Sequence, residues 1–174
     1  MIDIVCGDIT TLEIEAIVCP AHKHFIRGQG VSAAVFDRAG TALVLACSDL
    51  GKGAVGETRL TAGFGLPASY ILHTITPMWT GGDQWGANAL QQLSFCYQQV
   101  LALAENHHIR ELAFPAMGAG SNKIPHALAA HLALKELKLR ADYFQRIVVC
   151  LYDQATHQFW LGAWEDLQAS EACR

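Results

Sequence analysis

Short apolar runs alternate along the chain with longer stretches whose apolar residues recur at helical spacing. Continuous short runs of apolar and β-branched residues are typical of strands that are covered on both faces. Six runs predict strands: Ile2–Cys6, Ala16–Cys19, Thr58–Ala62, Tyr70–Ile75, Leu112–Ala116 and Ile147–Tyr152. Four stretches predict helices: Val31–Asp49, Ala87–His107, Pro125–Leu139 and Ala155–Ala169. Pro125 suits a first helical turn, where the N–H that proline lacks would be unpaired anyway.

This alternation of strands and helices predicts an α/β fold. A three-layer α/β/α sandwich, with a central mixed, largely parallel sheet of about six strands, covers both faces of such strands. The segment 79–86 reads Trp-Thr-Gly-Gly-Asp-Gln-Trp-Gly and predicts a loop. No internal repeat, low-complexity tract or linker interrupts the pattern, so we expect a single domain over residues 1–174.

Charge and composition narrow the range of partners. The formal net charge is −4, charged residues make up 16% of the chain, and its Lys and Arg are scattered rather than aligned. Duplex nucleic acid is therefore not an expected partner, because its recognition needs a basic surface. The chain shows no signal-peptide pattern and no apolar run of roughly 18 residues, so we expect a cytoplasmic protein without membrane contact. The six cysteines form no CxxC pair and are expected to be reduced thiols.

Two glycine-rich loops each follow a predicted strand and precede a predicted helix. The first is Arg27-Gly28-Gln29-Gly30, before Val31, and the second is Gly118-Ala119-Gly120-Ser121-Asn122. Glycine permits positive φ and close approach of the backbone to a phosphate, and helix N-termini attract anions. Neither loop has a Walker sequence or a complete GxGxxG. The pair favours a diphosphate held from two sides, with tight turns alone as the alternative.

Asp8 follows the first predicted strand, in Gly7-Asp8-Ile9-Thr10. Its carboxylate either caps a turn or accepts a hydrogen bond from an exocyclic amine such as that of adenine. The residues alone leave both interpretations open.

Five blocks in a fixed order make the chain resemble the macro domain family. They are Gly7-Asp8-Ile9-Thr10, Glu15-Ala16-Ile17-Val18, Gly28-Gln29-Gly30-Val31, His73-Thr74 with Pro77-Met78-Trp79, and Phe114-Pro115-Ala116. The resemblance covers nearly the whole chain, and the order of the blocks is more specific than any one of them. It implies a protein that binds ADP-ribose or a closely related adenine nucleotide diphosphate.

The resemblance also implies roles for individual residues. Asp8 would contact the adenine amino group, with Ile9 beside it. Tyr152, near the end of the last strand, would flank the adenine, and Phe144 is the poorer candidate for that position. The two loops would hold the diphosphate and the distal ribose through these residues: Gly28, Gly30, Val31, Gly118, Ala119, Gly120, Ser121 and Asn122. Neither a metal nor a cofactor is expected.

Two residues depart from the pattern of the family's hydrolases. In those hydrolases the second strand has a sequence similar to Val-Asn-Ala-Ala-Asn, and a glycine run is followed by Val-Asp. This chain has His22 in place of the last Asn and Ser32 in place of the Asp. A neutral serine hydroxyl cannot replace a carboxylate as base without a partner. His22 and Ser32 are therefore catalytic candidates only for a non-standard mechanism.

Four side chains near the loops have no assigned role. The second loop is followed by Lys123, where the family pattern closes with an aromatic residue and a glycine, and this lysine is either a phosphate partner or a solvated side chain. His22 acts as a general base, packs structurally, or binds zinc together with Cys19 and His24. This set supplies at most three ligands and no cluster elsewhere completes it, which disfavours zinc.

Three functions remain open. The preferred one is recognition of ADP-ribose, free or as a terminal modification of another molecule. The second is hydrolysis of a mono-ADP-ribosyl ester or O-acetyl-ADP-ribose by a non-standard set that includes His22. The third is binding of another adenine nucleotide or RNA, against which the net charge and the aromatic fraction of 9% count.

Overall fold

Six strands form one sheet in the computed structural model, which describes residues 1–79 and 83–173. The strands are β1 (Ile2–Cys6), β2 (Ala16–Ala21), β3 (Thr58–Ala62), β4 (Tyr70–Ile75), β5 (Glu111–Phe114) and β6 (Arg146–Leu151). Their order in the sheet is β1-β6-β5-β2-β4-β3. Every neighbouring pair is parallel except β3 and β4, which are antiparallel. The predicted mixed, largely parallel sheet is confirmed.

Helices cover both faces of the sheet. They are α1 (Val31–Ala39), α2 (Thr41–Ser48), α3 (Asp83–Asn106), α4 (His126–Arg140) and α5 (Gln154–Ala172). Alternate residues of β2 enter different cores: Val18 packs with the core under α3, α4 and α5, whereas Ile17 packs with the core under α1 and α2. Each core holds fully buried large side chains, such as Trp160 on the first face and Leu43 on the second. Strands apolar on both faces therefore occupy the middle of three layers.

The prediction of one helix over Val31–Asp49 is wrong, because the chain breaks at Gly40. Gly40 has φ +88° and ψ −172°, a conformation that favours glycine, and it lies between α1 and α2. The two helices meet at 109°, and only as this bent pair do they have the length and composition of a membrane span. No single helix among the described residues is long and apolar enough to cross a membrane.

Other element boundaries differ from the predictions by a few residues. Strand β2 continues to Ala21, two residues beyond the predicted end, and Pro125 caps α4 rather than lying in its first turn. The loop predicted for 79–86 is correct for Trp79, but residues 83–86 belong to α3, and residues 80–82 lie outside the described residues. Tertiary packing overrides local glycine signals at such boundaries.

The central strands diverge at their carboxyl ends. Strand β2 pairs with β5 only at Ala16 and Ile17, yet it pairs with β4 as far as Ala21. Pro20, which cannot donate a ladder hydrogen bond, lies in the part of β2 that is paired on one side only. The gap between the ends of β2 and β5 opens the sheet towards the loops that follow these strands.

A histidine is buried without charge beside this gap. His73, on β4, is fully buried, and its Nε2 shares a hydrogen bond of 2.9 Å with Thr61 Oγ1. The rings of Phe25 and Phe36 pack edge-on to it at 6.5 and 6.3 Å between centroids. Burial lowers the pKa of His73 from 6.5 to about 4, because the imidazolium would lose its hydration.

His73 predicts acid sensitivity of the fold. The unfolded chain takes up a proton at His73 near pH 6.5, but the folded chain does so only near pH 4. Stability linked to this group is therefore complete above pH 6.5 and is lost as the pH falls towards 4, by a total on the order of 3 kcal/mol. Urea unfolding at about pH 7.5 and about pH 4.5 measures the loss, which should shrink in His73→Gln. His107→Gln, at an exposed histidine, is the matched control. An equal loss in wild type and His73→Gln contradicts the prediction.

Candidate functional site

A cleft lies along the carboxyl ends of β2, β5 and β6. Two adjoining cavities of about 660 and 500 Å³ fill it, one on the β2 side and one on the β6 side of the end of β5. We refer to them as the β2-side cavity and the β6-side cavity. Both are lined by Gly30, Val31, Ala116 and Gly120. A single elongated ligand can therefore cross from one cavity to the other.

The residues assigned from the sequence to the adenine, to the two loops and to catalysis line this cleft, whereas Phe144 and Lys123 do not. The β2-side cavity contains His22, Gly28, Gly30, Val31, Ser32, Gly118, Gly120, Ser121 and Asn122. The β6-side cavity contains Asp8, Ile9, Gly30, Val31, Ala119, Gly120 and Tyr152. Parallel strands bring their carboxyl ends to one edge of the sheet, which is why residues so distant in sequence meet here.

Asp8 performs the predicted capping role and keeps an acceptor for a ligand. Its Oδ1 accepts hydrogen bonds from the Thr10 backbone N–H at 2.9 Å and from Thr10 Oγ1 at 2.7 Å, which caps the 3-10 turn Ile9–Thr11. Its Oδ2 has no partner among the described residues. The two interpretations of Asp8 are therefore compatible, because each uses a different oxygen.

An exposed aromatic ring borders the β6-side cavity. Tyr152 lies one residue beyond the end of β6, lines the β6-side cavity and is 84% exposed. Phe144, the poorer candidate for an aromatic wall, is buried at the opposite end of β6 and packs against Tyr143. Only Tyr152 is therefore placed to flank a ligand in this cavity.

The first glycine-rich loop is anchored on both sides. Phe25 is 1% exposed and has φ +53°, so its ring holds the loop down on the core. Arg27 makes two parallel hydrogen bonds to the carboxylate of Asp37 on α1, at 2.7 and 2.9 Å. The Gly53 backbone N–H donates to the carbonyl of Lys23 at 2.8 Å. These contacts hold the loop in place without a ligand.

Ser32 also holds this loop, which removes it as a base. Its Oγ accepts a hydrogen bond from the Gly28 backbone N–H at 3.0 Å, and the residue is 5% exposed. The Cys19 thiol lies beside it, and burial raises the pKa of Cys19 to about 12 despite a hydrogen bond with Ser32. No carboxylate or thiolate is therefore available here to activate the hydroxyl.

The orientation of His22 determines what its imidazole can do. The backbone N–H of His24 donates to His22 Nδ1 at 3.1 Å. In the neutral ring the proton must then be on Nε2, which makes that nitrogen a donor. To act as a base through Nε2, the ring must change tautomer and lose the bond from His24. This geometry favours a donor over a general base.

Both loops carry backbone N–H groups without partners, on residues that line the cleft. Gly30 has φ +58° and begins α1, so the N–H groups of Val31 and Ser32 belong to a first helical turn without acceptors. On the other side, the N–H groups of Gly120 and Ser121 make no hydrogen bond within the described chain. Such N–H groups favour an anion between the loops.

Asn122 connects the second loop to the segment after β4. Its Nδ2 donates to the carbonyl and hydroxyl of Thr76, at 3.1 and 2.8 Å, and to the carbonyl of Pro77 at 3.0 Å. The backbone N–H of Trp79 donates to the Asn122 carbonyl at 2.8 Å. The amide hydrogens of Asn122 are therefore committed to the protein. Lys123 is exposed, has φ +61° and lines neither cavity.

The zinc interpretation of Cys19, His22 and His24 finds no metal-binding geometry. The rings of His22 and His24 lie 5.5 Å apart, but Cys19 is buried in the core with a protonated thiol. Within residues 1–79 and 83–173, no three His, Cys, Asp or Glu side chains form a group that could hold a metal ion. All six cysteines are free thiols.

Four residues that border the cleft were not predicted from the sequence. Thr76 directly follows β4, His126 begins α4, and Asp153 caps α5 through its hydrogen bond from the Thr156 N–H at 2.8 Å. Hydrogen bonds from Thr156 lower the pKa of Asp153. Gln29, between the two glycines of the first loop, also lines the β2-side cavity. Position at the end of a strand or the start of a helix was the signal for the first three.

A sequence profile for the Macro domain matches residues 18–133, more than half of the chain. The chain belongs to the macro domain family. The resemblance inferred from five short blocks is thereby confirmed.

Relatives of this macro domain match almost over its full length. A macro domain-containing protein of Lactiplantibacillus plantarum is 39% identical over 163 residues, which cover 91% of this chain and 93% of that protein. An O-acetyl-ADP-ribose deacetylase of Klebsiella pneumoniae is 34% identical over 161 residues, 88% of this chain and 90% of that protein. The solved Trypanosoma brucei macrodomain in complex with ADP-ribose has a TM-score of 0.81 and 28% identity, covering 95% of this chain and 68% of that one.

A methyl group at each of the two glycines of the second loop should affect the stability of this macro domain to different extents. Gly118 has φ +77°, and a Cβ there would lie 2.7 Å from Ile124 Cδ1. Gly118→Ala should therefore lower the free energy of unfolding by about 1–3 kcal/mol. Gly120 has no neighbour within 4 Å of a Cβ, so Gly120→Ala should change it by less than about 0.5 kcal/mol. Urea unfolding measures both, and equal losses would contradict the assignment of Gly120 to the open cleft.

Proposed function

We propose that this macro domain binds ADP-ribose, free or as the terminal modification of another molecule. The observation that carries the proposal is the order of groups along one cleft. A free carboxylate oxygen lies at the β6 end, unpaired N–H groups lie in the middle, and neutral polar side chains lie at the β2 end. Adenine amine, diphosphate and terminal ribose follow one another in the same order in ADP-ribose.

The adenine fits the β6-side cavity by its chemistry. Asp8 Oδ2 would accept from the exocyclic amine, and the ring would lie beside Ile9, which is 5% exposed, and Tyr152, which is 84% exposed. A flat apolar ring with one polar edge suits a site with an exposed aromatic and a single directed acceptor.

Backbone dipoles rather than cations would hold the diphosphate. Arg27 is paired with Asp37, and Lys123 lies outside both cavities. Val31 and Gly120 line both cavities, and their N–H groups have no acceptors within the described chain. Fixed donors of this kind bind an anion without loss of side-chain entropy.

Calorimetric titration with ADP-ribose, ADP, AMP and a short RNA tests the proposal. ADP-ribose should bind most tightly, because it alone fills both cavities and offers a diphosphate. AMP should bind more weakly than ADP, because it lacks the second phosphate. Tighter binding of the RNA than of ADP-ribose would replace the proposal with the third function considered above.

Asp8 predicts a reversal of base preference. In Asp8→Asn, the side-chain oxygen can still cap Thr10, but the amide now turns a donor towards the adenine amine. ADP-ribose affinity should fall by about 1.5–3 kcal/mol, the scale of a charge-assisted hydrogen bond. The inosine analogue, whose carbonyl accepts instead, should bind better to Asp8→Asn than to wild type. Calorimetry with both ligands measures this, and thermal unfolding confirms that the cap is retained. Unchanged affinity for both ligands in a folded variant contradicts the role of Asp8.

A second function, hydrolysis of an ADP-ribose derivative, is favoured by the deacetylase of Klebsiella pneumoniae among the relatives. His22 Nε2 is the group that would have to act. Its donor tautomer and the commitment of Ser32 to Gly28 count against efficient catalysis. We therefore rank hydrolysis second to binding.

This ranking predicts poor turnover of mono-ADP-ribosylated carboxylates. The rate should be about 10²- to 10⁴-fold below that of an active macro hydrolase, which is the usual contribution of a general base. His22→Asn combined with Ser32→Asp restores the residue types of the hydrolases, and a gain in rate is expected if the cleft holds substrate productively. Release of ADP-ribose from a modified protein is the measurement. Turnover comparable to an active hydrolase in wild type, and its loss in His22→Ala, would promote hydrolysis to the leading function.

A further inference from the structure

The polar side chains of the β2-side cavity divide into committed and free groups. Ser32 Oγ is bonded to the Gly28 N–H, and the Asn122 amide is bonded to Thr76 and Pro77. His22 Nδ1 accepts from His24, which leaves only Nε2–H for a ligand. Gln29 makes no hydrogen bond among the described residues, through either its side chain or its backbone. Its carboxamide is the longest side chain of the cavity that retains both its donor and its acceptor.

The loop around Gln29 holds this side chain at the rim of the cavity. Arg27 is fixed to Asp37 by two hydrogen bonds, and the Gly28 backbone is fixed by Ser32. On the other side, Gly30 has φ +58° and starts α1. The backbone on both sides of Gln29 is thus restrained, while the exposed side chain is free to turn onto a ligand.

The opposite wall offers little to the same part of a ligand. Gly118 and Gly120 have no side chain, Ser121 is short, and the amide hydrogens of Asn122 are used by Thr76 and Pro77. A sugar beyond the diphosphate would therefore be bordered by one glutamine amide and one imidazole N–H. A carboxamide matches a pair of neighbouring hydroxyls, because its N–H donates to one oxygen and its carbonyl accepts from the other.

We propose that Gln29 is the residue that distinguishes a nucleoside diphosphate carrying a terminal sugar from the nucleoside diphosphate alone. This inference rests on the proposed function. The Gln29 carboxamide bridges two neighbouring hydroxyls of the terminal ribose, and His22 Nε2–H donates to the same sugar. The ligand class that follows is ADP-ribose with a free terminal diol. An acyl group on either hydroxyl removes one of the two amide contacts, so O-acylated forms bind more weakly than ADP-ribose.

Calorimetry with ADP-ribose and ADP tests this on the full chain. Wild type should prefer ADP-ribose, and Gln29→Ala should lose roughly 3- to 10-fold in affinity for ADP-ribose for each hydrogen bond removed. Its affinity for ADP should stay within about twofold of wild type, because ADP does not reach Gln29. Gln29→Met keeps the length of the side chain but not its hydrogen bonds, and it should behave like Gln29→Ala. Gln168→Ala, at an exposed glutamine of α5, is the matched control.

The outcomes separate this inference from the proposed function. Failure of the wild type to bind either nucleotide contradicts the proposed function. Equal wild-type affinity for ADP and ADP-ribose, or equal losses for both ligands in Gln29→Ala, contradicts the role of Gln29 alone. If Gln29→Met keeps the full affinity for ADP-ribose, the size of the side chain is sufficient and the hydrogen bonds proposed for the amide are contradicted. Since Gln29 is exposed, thermal unfolding should show all variants folded.

Discussion

The divergence of β2 from β5 beyond Ile17 is the constraint on which the site depends. Parallel strands that stay paired to their ends leave only a shallow edge, whereas here β2 follows β4 for four more residues while β5 stops pairing with it. Pro20 lies in this singly paired part of β2. The two glycine-rich loops therefore leave the sheet on opposite sides of a gap, and the cleft between them is the direct result.

A division of hydrogen-bonding groups follows from that geometry. Loops that border an open gap cannot satisfy their backbone through a sheet, so side chains such as Ser32 and Asn122 do so instead. Groups used in this way are unavailable for chemistry. The groups that remain are Asp8 Oδ2, the loop N–H groups, His22 Nε2 and the Gln29 amide, and the proposed binding function rests on them. No Asp or Glu is among the described residues that line the β2-side cavity.

Most of the fold was predictable because its signals are local. Short runs in which apolar residues are continuous or alternate with polar ones indicate strands. The alternation of such strands with helices along the chain indicates the three layers. The break at Gly40 was missed because the apolar spacing continues through it, although its φ of +88° is a glycine conformation. The start of α3 at Asp83 was also missed, since the glycines in this segment are typical of a loop.

The sequence by itself determined the family, the fold class and most of the residues that gather at the cleft, because those depend on short blocks and on the alternation of strands and helices. Only the tertiary structure decided what each polar group is free to do. These restrictions come from hydrogen bonds within and between loops. They join Ser32 to Gly28, Asn122 to Thr76, and His22 to His24. Such contacts depend on the path of the backbone in three dimensions, which no residue pattern specifies. The same path leaves Gln29 unbonded at the rim of the cavity, and a glutamine between two glycines gave no sign of it.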